Sequence, residues 1–194
     1  MRKLYTLGAL AFLGFASQSA FAQSAEFRGF RAEAQIGDDR FHSQGTHDDK
    51  LSWGIAGGFD GVINEKIVIG PEFSYWHGRA QNVTTGTGGA GLVYHKGFQE
   101  LGAGVRAGYL INPKLLVYGI GGYVNAEQRK AFTGIGATGV GRFYDNYSAD
   151  GYQVGGGAEY SLAKNFYVSA GYRYANYHGH TSRERAFVGA GVRF

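Results

Sequence analysis

Hydrophobic and polar residues alternate with a period of two over most of this chain, most cleanly at its end. Ala186, Val188, Ala190, Val192 and Phe194 share one parity; Arg185, Phe187, Gly189, Gly191 and Arg193 share the other. A period of two marks a β-strand whose faces differ chemically. A strand running to the last residue suits a sheet closed on itself, where the final strand pairs with the first. The same alternation predicts seven earlier strands, over residues 27–37, 51–60, 66–77, 98–109, 115–127, 151–162 and 166–177. Pro71 interrupts the third and predicts a bulge or distorted pairing there.

The segments between strands alternate in kind. Polar stretches at 38–50, 78–96, 128–150 and 178–184 read as long loops, and short turns at 61–65, 112–114 and 163–165 separate them. In an up-and-down barrel, alternate connections lie at opposite ends, so one end is elaborate and the other trimmed. Phe59, Tyr109 and Tyr160 each stand just before a short turn, with Phe194 as the fourth of the series. The expected fold is an all-β, closed, antiparallel up-and-down barrel of about eight strands.

The two faces decide what surrounds such a barrel. Arg31, Glu33, Lys66, Glu72, Glu100, Arg106, Glu127, Glu159, Arg173, Arg185 and Arg193 take the polar parity of their strands. Between them stand small residues such as Gly54, Ala56, Gly58, Gly102, Gly104, Gly155 and Gly171, which suit a narrow interior. The other parity gathers Leu116, Tyr118, Ile120 and Val124 in the fifth strand. It also carries aromatics at both strand ends: Phe59, Tyr109, Tyr160, Phe166 and Phe194 near the short turns, and Trp53, Tyr75, Tyr152 and Tyr174 near the long loops. Paired aromatic belts fit the two interfaces of a bilayer. The expected arrangement is a transmembrane barrel with charges inside and apolar residues toward lipid. An eight-stranded barrel is just wide enough for its inner side chains, so Glu72, Glu100, Arg106, Glu159, Arg173 and Arg193 are expected to form a lumen charge network. Glu159 and Arg173 are read as a pair, structural rather than a relay.

Composition adds the route. Arg2 and Lys3, the apolar run 7–15 and the small-x-small pattern Ala20-Phe21-Ala22 form a secretory signal peptide. Residues 1–22 are expected to be removed, leaving 23–194 as the barrel domain. Loss of Arg2 and Lys3 lowers the net charge of +4 to about +2, and no basic block supports nucleic-acid binding. There are no cysteines, which excludes disulfides and thiol chemistry. Glycine numbers 34 beside only two prolines and 44% hydrophobic residues, a glycine-rich sheet protein rather than a disordered chain.

The stretches 115–123 (LLVYGIGGY), 151–174 (GYQVGGGAEYSLAKNFYVSAGYRY) and the terminal Val192-Arg193-Phe194 resemble the small outer-membrane β-barrel family of Gram-negative bacteria, the porin-like, opacity-type or immunogenic surface proteins. The resemblance covers the mature chain. It implies an integral outer-membrane location with both mature termini periplasmic. It also implies contact with lipid and lipopolysaccharide, and a barrel-assembly signal at Ala190, Val192 and Phe194 read by the assembly machinery. Family members have been linked to adhesion, immune exposure, envelope integrity and small-solute passage. The expected role is structural or surface-interacting, carried by four extracellular loops that present a site for a host or surface ligand. A narrow channel and a lipid-A-modifying enzyme are the alternatives.

Candidate chemistry is sparse. His178, His180, Ser182 and Glu184 cluster as a serine-histidine-carboxylate set would, yet in a glycine-containing polar segment. His42 and His47 flank Asp48 and Asp49, metal-ligand types without a fixed spacing. Thr85–Gly89 lacks the lysine and strand-to-helix setting of a phosphate loop. No catalytic residue, metal or cofactor is expected.

Overall fold

The computed structural model describes residues 27–43, 46–78, 81–85, 91–136, 139–178 and 181–194; the signal segment, His180 and Gly86–Gly89 lie outside them. Nine β segments follow one another: β1 (Gly29–Ser43), β2 (Thr46–Ile63), β3 (Ile67–His77), β4 (Gln81–Thr85), β5 (Gly91–Asn112), β6 (Leu115–Gly136), β7 (Gly139–Ala163), β8 (Phe166–Tyr177) and β9 (Thr181–Arg193). Every pairing is antiparallel. Both β3 and β4 pair with β5, so together they make one interrupted stave. The last strand returns to the first, from Arg31 opposite Arg193 to Ser43 opposite Thr181. The result is a closed eight-stave up-and-down barrel, as the alternation predicts.

Turn chemistry trims one end. Asn64 and Glu65 both take positive φ, 50° and 59°, the backbone of a tight hairpin whose twist matches its strands. Pro113–Lys114 is closed by the Asn112 side chain, which accepts from the Lys114 amide at 2.8 Å. Around Pro71 the β2 ladder lapses between Gly58–Glu72 and Gly61–Ile69, while the β5 ladder stays continuous. Proline has no N–H to give. A side chain on neighbouring Gly70 would overlap the Phe59 carbonyl oxygen, so glycine lets the two strands approach despite the missing bond.

The other end differs from expectation. Much of 38–50, 78–96 and 128–150 is not loop but continued ladder: β1 pairs with β2 up to Ser43–Thr46, and β6 with β7 up to Gly136–Gly139. Once both faces of a strand meet polar surroundings, the period-two signal vanishes although the hydrogen bonds continue.

Side-chain direction follows parity with one inversion. In β6 the apolar set Leu116, Tyr118, Ile120 and Val124 points inward and is buried, while Val117 and Tyr123 point out and Glu127 is exposed. These residues were expected to face lipid. The lumen needs hydrocarbon for its guanidiniums to rest on, and the Arg106 guanidinium lies 3.9 Å from the centre of the Tyr118 ring. Glu127 and Lys66, expected inside, are both exposed.

Candidate functional site: the filled lumen and the hairpin crown

Inward positions on β1 carry Arg31, Glu33, Gln35 and Asp39, and inward positions on β9 carry Arg183, Arg185 and Arg193, all buried. Among the described residues the buried charges are six arginines and six carboxylates. An unpaired charge in so dry a place would cost several kcal/mol, roughly 3–5, and equal numbers allow mutual compensation.

The pairing falls into two clusters. Toward the short turns, Asp60 is the hub. It lies 3.3 Å from Arg31, 3.4 Å from Arg106 and 3.0 Å from Arg193. Glu159 takes Arg106 at 2.5 Å and Arg193 at 2.7 Å, closing a ring of four residues. A branch continues from Arg31 through Glu72 to Arg173, the last step 2.6 Å. Toward the hairpins, Arg183 grips Asp39 at 2.6 Å, Arg185 reaches Glu100 at 3.0 Å, and the Tyr177 hydroxyl donates to Glu100.

All six residues expected in the network are therefore inside it, but not as paired. Glu159 bonds to Arg106 and Arg193, and Arg173 bonds to Glu72. Adjacent strands do not ensure contact: Glu159 sits opposite Ser169, while Arg173 sits opposite Gly155, four positions along. The hub Asp60 was missed. Its signal was parity, because it continues the Gly54, Ala56, Gly58 series that faces inward.

Aromatic rings separate and cap the clusters. Trp76 and Phe187 meet edge to face at 6.0 Å, and Arg185 lies 4.2 Å from the centre of the Trp76 ring. At the turn end Phe27, only 1% exposed, packs with Val68, Leu110, Leu116 and Tyr118. Arg193 stands 5.0 Å from the Phe27 ring centre. The segment before β1 thus stoppers the turn end of the barrel, a contact that alternation could not show because Phe27 precedes the strand.

The residues read as belts lie on the outer face. Trp53, Phe59, Tyr109, Tyr160 and Phe166 are exposed, and Tyr75 is half-buried. Between them lie bands such as Leu101–Tyr109, Tyr152–Tyr160 and Phe166–Tyr174, about the nine residues that a tilted strand needs to cross a bilayer. Phe194 is 74% exposed beside Phe30, whose carbonyl accepts its amide at 2.9 Å. Ala190 faces outward too, and Val192 shares its parity.

Above the hairpin-side belt the outward face turns polar. Arg40 makes two bonds to Asp49, 2.7 and 3.2 Å. The Asp150 carboxylate accepts from the Tyr123 hydroxyl and, at 2.6 Å, from the Asn125 amide. Those two bonds, Tyr123 first, hold the Asp150 carboxyl below the ordinary carboxylate range.

Among the described residues, His178, Ser182 and Glu184 each have other neighbours. His178 turns its Nδ1 to the Asp150 carbonyl at 3.0 Å, and Glu184 lies 3.8 Å from His42. Ser182 stands in the β9 ladder opposite Asn176 and His42. His42 and His47 face each other across β1 and β2, and among the described residues no group of three or more metal-ligand types forms.

Comparison with known proteins matches this architecture. The family model "outer membrane protein beta-barrel domain" matches residues 8–194. No curated protein sequence matches. Solved structures with the same fold include Ail, the attachment invasion locus protein of Yersinia pestis, in complex with the heparin analogue sucrose octasulfate. It is 17% identical, covers 86% of this chain and 99% of its own, and has a TM-score of 0.57. Neisserial surface protein A is also 17% identical, covering 86% and 97%, with a TM-score of 0.55. A major outer membrane protein from Thermus thermophilus is 11% identical, covering 84% and 99%, with a TM-score of 0.52.

Proposed function

The chain belongs to the outer-membrane β-barrel domain family, and from that premise we propose a closed structural scaffold whose hairpin end is the working surface. The barrel is an integral outer-membrane protein of the Gram-negative type. In this reading residues 1–22 are removed on export, the short turns and both mature termini face the periplasm, and the hairpins stand outside the cell.

The observation that carries the reading is the contrast between the two parts of the molecule. The lumen is spent on twelve buried charges, eleven of them in ion pairs, and an aromatic stopper, whereas the ladders of β1–β2 and β6–β7 extend beyond the outer belt. A barrel that conducts would keep a wetted path, and these charges are buried against one another instead. A serine hydrolase would need a histidine on its serine, and His178 is turned instead to the Asp150 carbonyl. A stiff hairpin crown can present side chains to a ligand at low ordering cost. Adhesion, antigen display and envelope integrity all use such a surface. Lipopolysaccharide would surround its base, and the barrel-assembly machinery would grip its terminal strand. The Ail structure holds a heparin analogue, which makes sulfated glycans the first ligand class to test.

The test replaces each hairpin above the belt by a two-residue turn. Barrels that still shift mobility on heating should lose binding to glycans and matrix proteins on an array. Binding undiminished by trimming, or stepwise conductance of the intact protein in a planar bilayer, would overturn the proposal.

A further inference from the structure

One strand of the crown is paired on one side only. β7 follows β6 along its whole length, from Gly139 opposite Gly136 to Tyr160 opposite Leu115, without a register shift. On its other side β8 joins only at Gly151, opposite Tyr177, and continues toward the short turns. Among the described residues no strand pairs with that side of 139–149, a free edge roughly 35 Å long at the ordinary rise of a strand. A row of unpaired N–H and C=O groups is a template for another strand, and proteins blunt it with lysine, proline, bulges or short length. Residues 139–149 (GVGRFYDNYSA) contain no lysine and no proline, and the ladder behind them has no bulge.

The last bond below the edge fixes the direction of these groups. The Asp150 carbonyl accepts from the His178 amide at 3.1 Å, on the β8 side. In an antiparallel ladder the N–H and C=O of one residue point to the same side, and the side alternates along the strand. Val140, Arg142, Tyr144, Asn146 and Ser148 therefore turn their backbone groups to the open side, while odd-numbered residues turn theirs to β6.

The same edge of a second copy complements this row in one arrangement. Two copies in one membrane would be related by a two-fold axis along the membrane normal. Their edges would run parallel at equal height, with N–H facing N–H and C=O facing C=O. Copies in facing membranes run antiparallel, and each even-numbered residue can exchange both bonds with an even-numbered residue opposite. That contact is isologous, the same patch used twice.

We propose that the upper edge of β7 pairs with the same edge of a second copy in a facing outer membrane, joining one cell to another. The inference rests on hairpins that stand outside the cell. Overlap centred on Tyr144 would hold the two hairpin-side belts on the order of 50 Å apart, so the contact needs short lipopolysaccharide.

The test has two arms. In nanodiscs, where both faces are open, the full barrel should associate in pairs by mass photometry whichever way the hairpins point in cells. Across single cysteines placed at 140–148, disulfide yield between copies should peak at the residue on the two-fold axis and fall away on either side. Equal yields along the edge would mean parallel pairing; that result, or discs that stay single, overturns the proposal. Tyr144→Pro removes an N–H that β6 does not use. It should lower association on the order of tenfold, the loss of two hydrogen bonds across the axis. Tyr144→Lys, a charge on the edge, serves if the proline variant does not fold, and association unmoved by the folded variant overturns the proposal. In the second arm, cells with truncated lipopolysaccharide should clump when they produce the native barrel and stay dispersed with Tyr144→Pro. Discs that pair while native cells stay dispersed would overturn the junction between cells, and surface labelling of the hairpins then shows whether their outward direction failed with it.

Discussion

Arg193 joins Asp60 to Glu159 through a single nitrogen: Nη2 stands 3.0 Å from Asp60 Oδ2 and 2.7 Å from Glu159 Oε1. Because Arg193 belongs to the closing strand β9, the barrel seam and the lumen network are completed together. Until β9 docks on β1, Asp60 and Glu159 lack one of their cations. Closure is thus rewarded by charge compensation as well as by ladder hydrogen bonds.

Asp60→Asn should be the most damaging single change in the lumen. It leaves three arginines short of a buried partner, a loss of about 3–5 kcal/mol, read as a lower urea midpoint for the barrel in micelles. Glu33→Gln is the comparison. The Glu33 carboxylate accepts from Gln35 and Ser169, each at 2.6 Å, and an amide oxygen can still accept. Its cost should be smaller, about 1–3 kcal/mol. Equal losses would show that Asp60 is not the hub.

Phe27→Ala should unstopper the turn end without making a pore. Removing a buried ring costs about 3–5 kcal/mol, visible in the same unfolding curves. The layer of Trp76, Phe187 and the Glu100 cluster remains, so planar bilayers should stay silent. Conductance from this single variant would mean that the second layer does not seal.

Much of this was open to reading in the sequence, and the failures share a cause. Alternation reports which side chains differ in polarity, not which polarity faces in. On β1 and β9 the two questions have one answer, since Arg31, Glu33, Arg185 and Arg193 can only be inside. On β6 they do not: glycines suffice outside, while inside Leu116 and Tyr118 pack with Phe27, Tyr118 lies under Arg106, and Val124 packs with Ala149, Ala175 and Tyr177. Pairing was less legible still, because Glu159 and Arg173 share adjacent strands while their contacts depend on register and on partners across the lumen. The hairpin ladders beyond the belt were hidden because polar residues on both faces erase the period.

The Asp150 cluster should weaken in acid. Its folded carboxyl titrates below the usual value of about 3.9, held there by Tyr123 and then Asn125. The stabilisation is therefore complete above the unfolded pKa and disappears as pH falls through the depressed folded value. The protection factors of the Asn125 and Asp150 amides, exchange rates corrected for the intrinsic rate at each pH, should fall through that range in the native protein. In Asp150→Asn they should stay constant; an unchanged native profile would contradict the assignment.

Deleting Phe194 should impair membrane insertion more than Tyr109→Leu does. Both residues lie on the outer face near the short turns, but Phe194 belongs to the strand that closes the barrel. The fraction of heat-shiftable protein in the membrane measures the difference. Equal effects would leave Phe194 an ordinary belt residue.

The central claim, a sealed scaffold with an outward hairpin crown, is most directly tested by single-cysteine labelling, since the chain has no native cysteine. Ser148→Cys lies on the hairpin side, Lys164→Cys in a short turn, and Ser169→Cys in the lumen beside Glu33. With a membrane-impermeant maleimide, Ser148→Cys should label on intact cells and Lys164→Cys only after permeabilisation. Ser169→Cys should resist labelling until the barrel is unfolded. Labelling of Lys164→Cys on intact cells, or of Ser169→Cys in the folded barrel, would contradict the account.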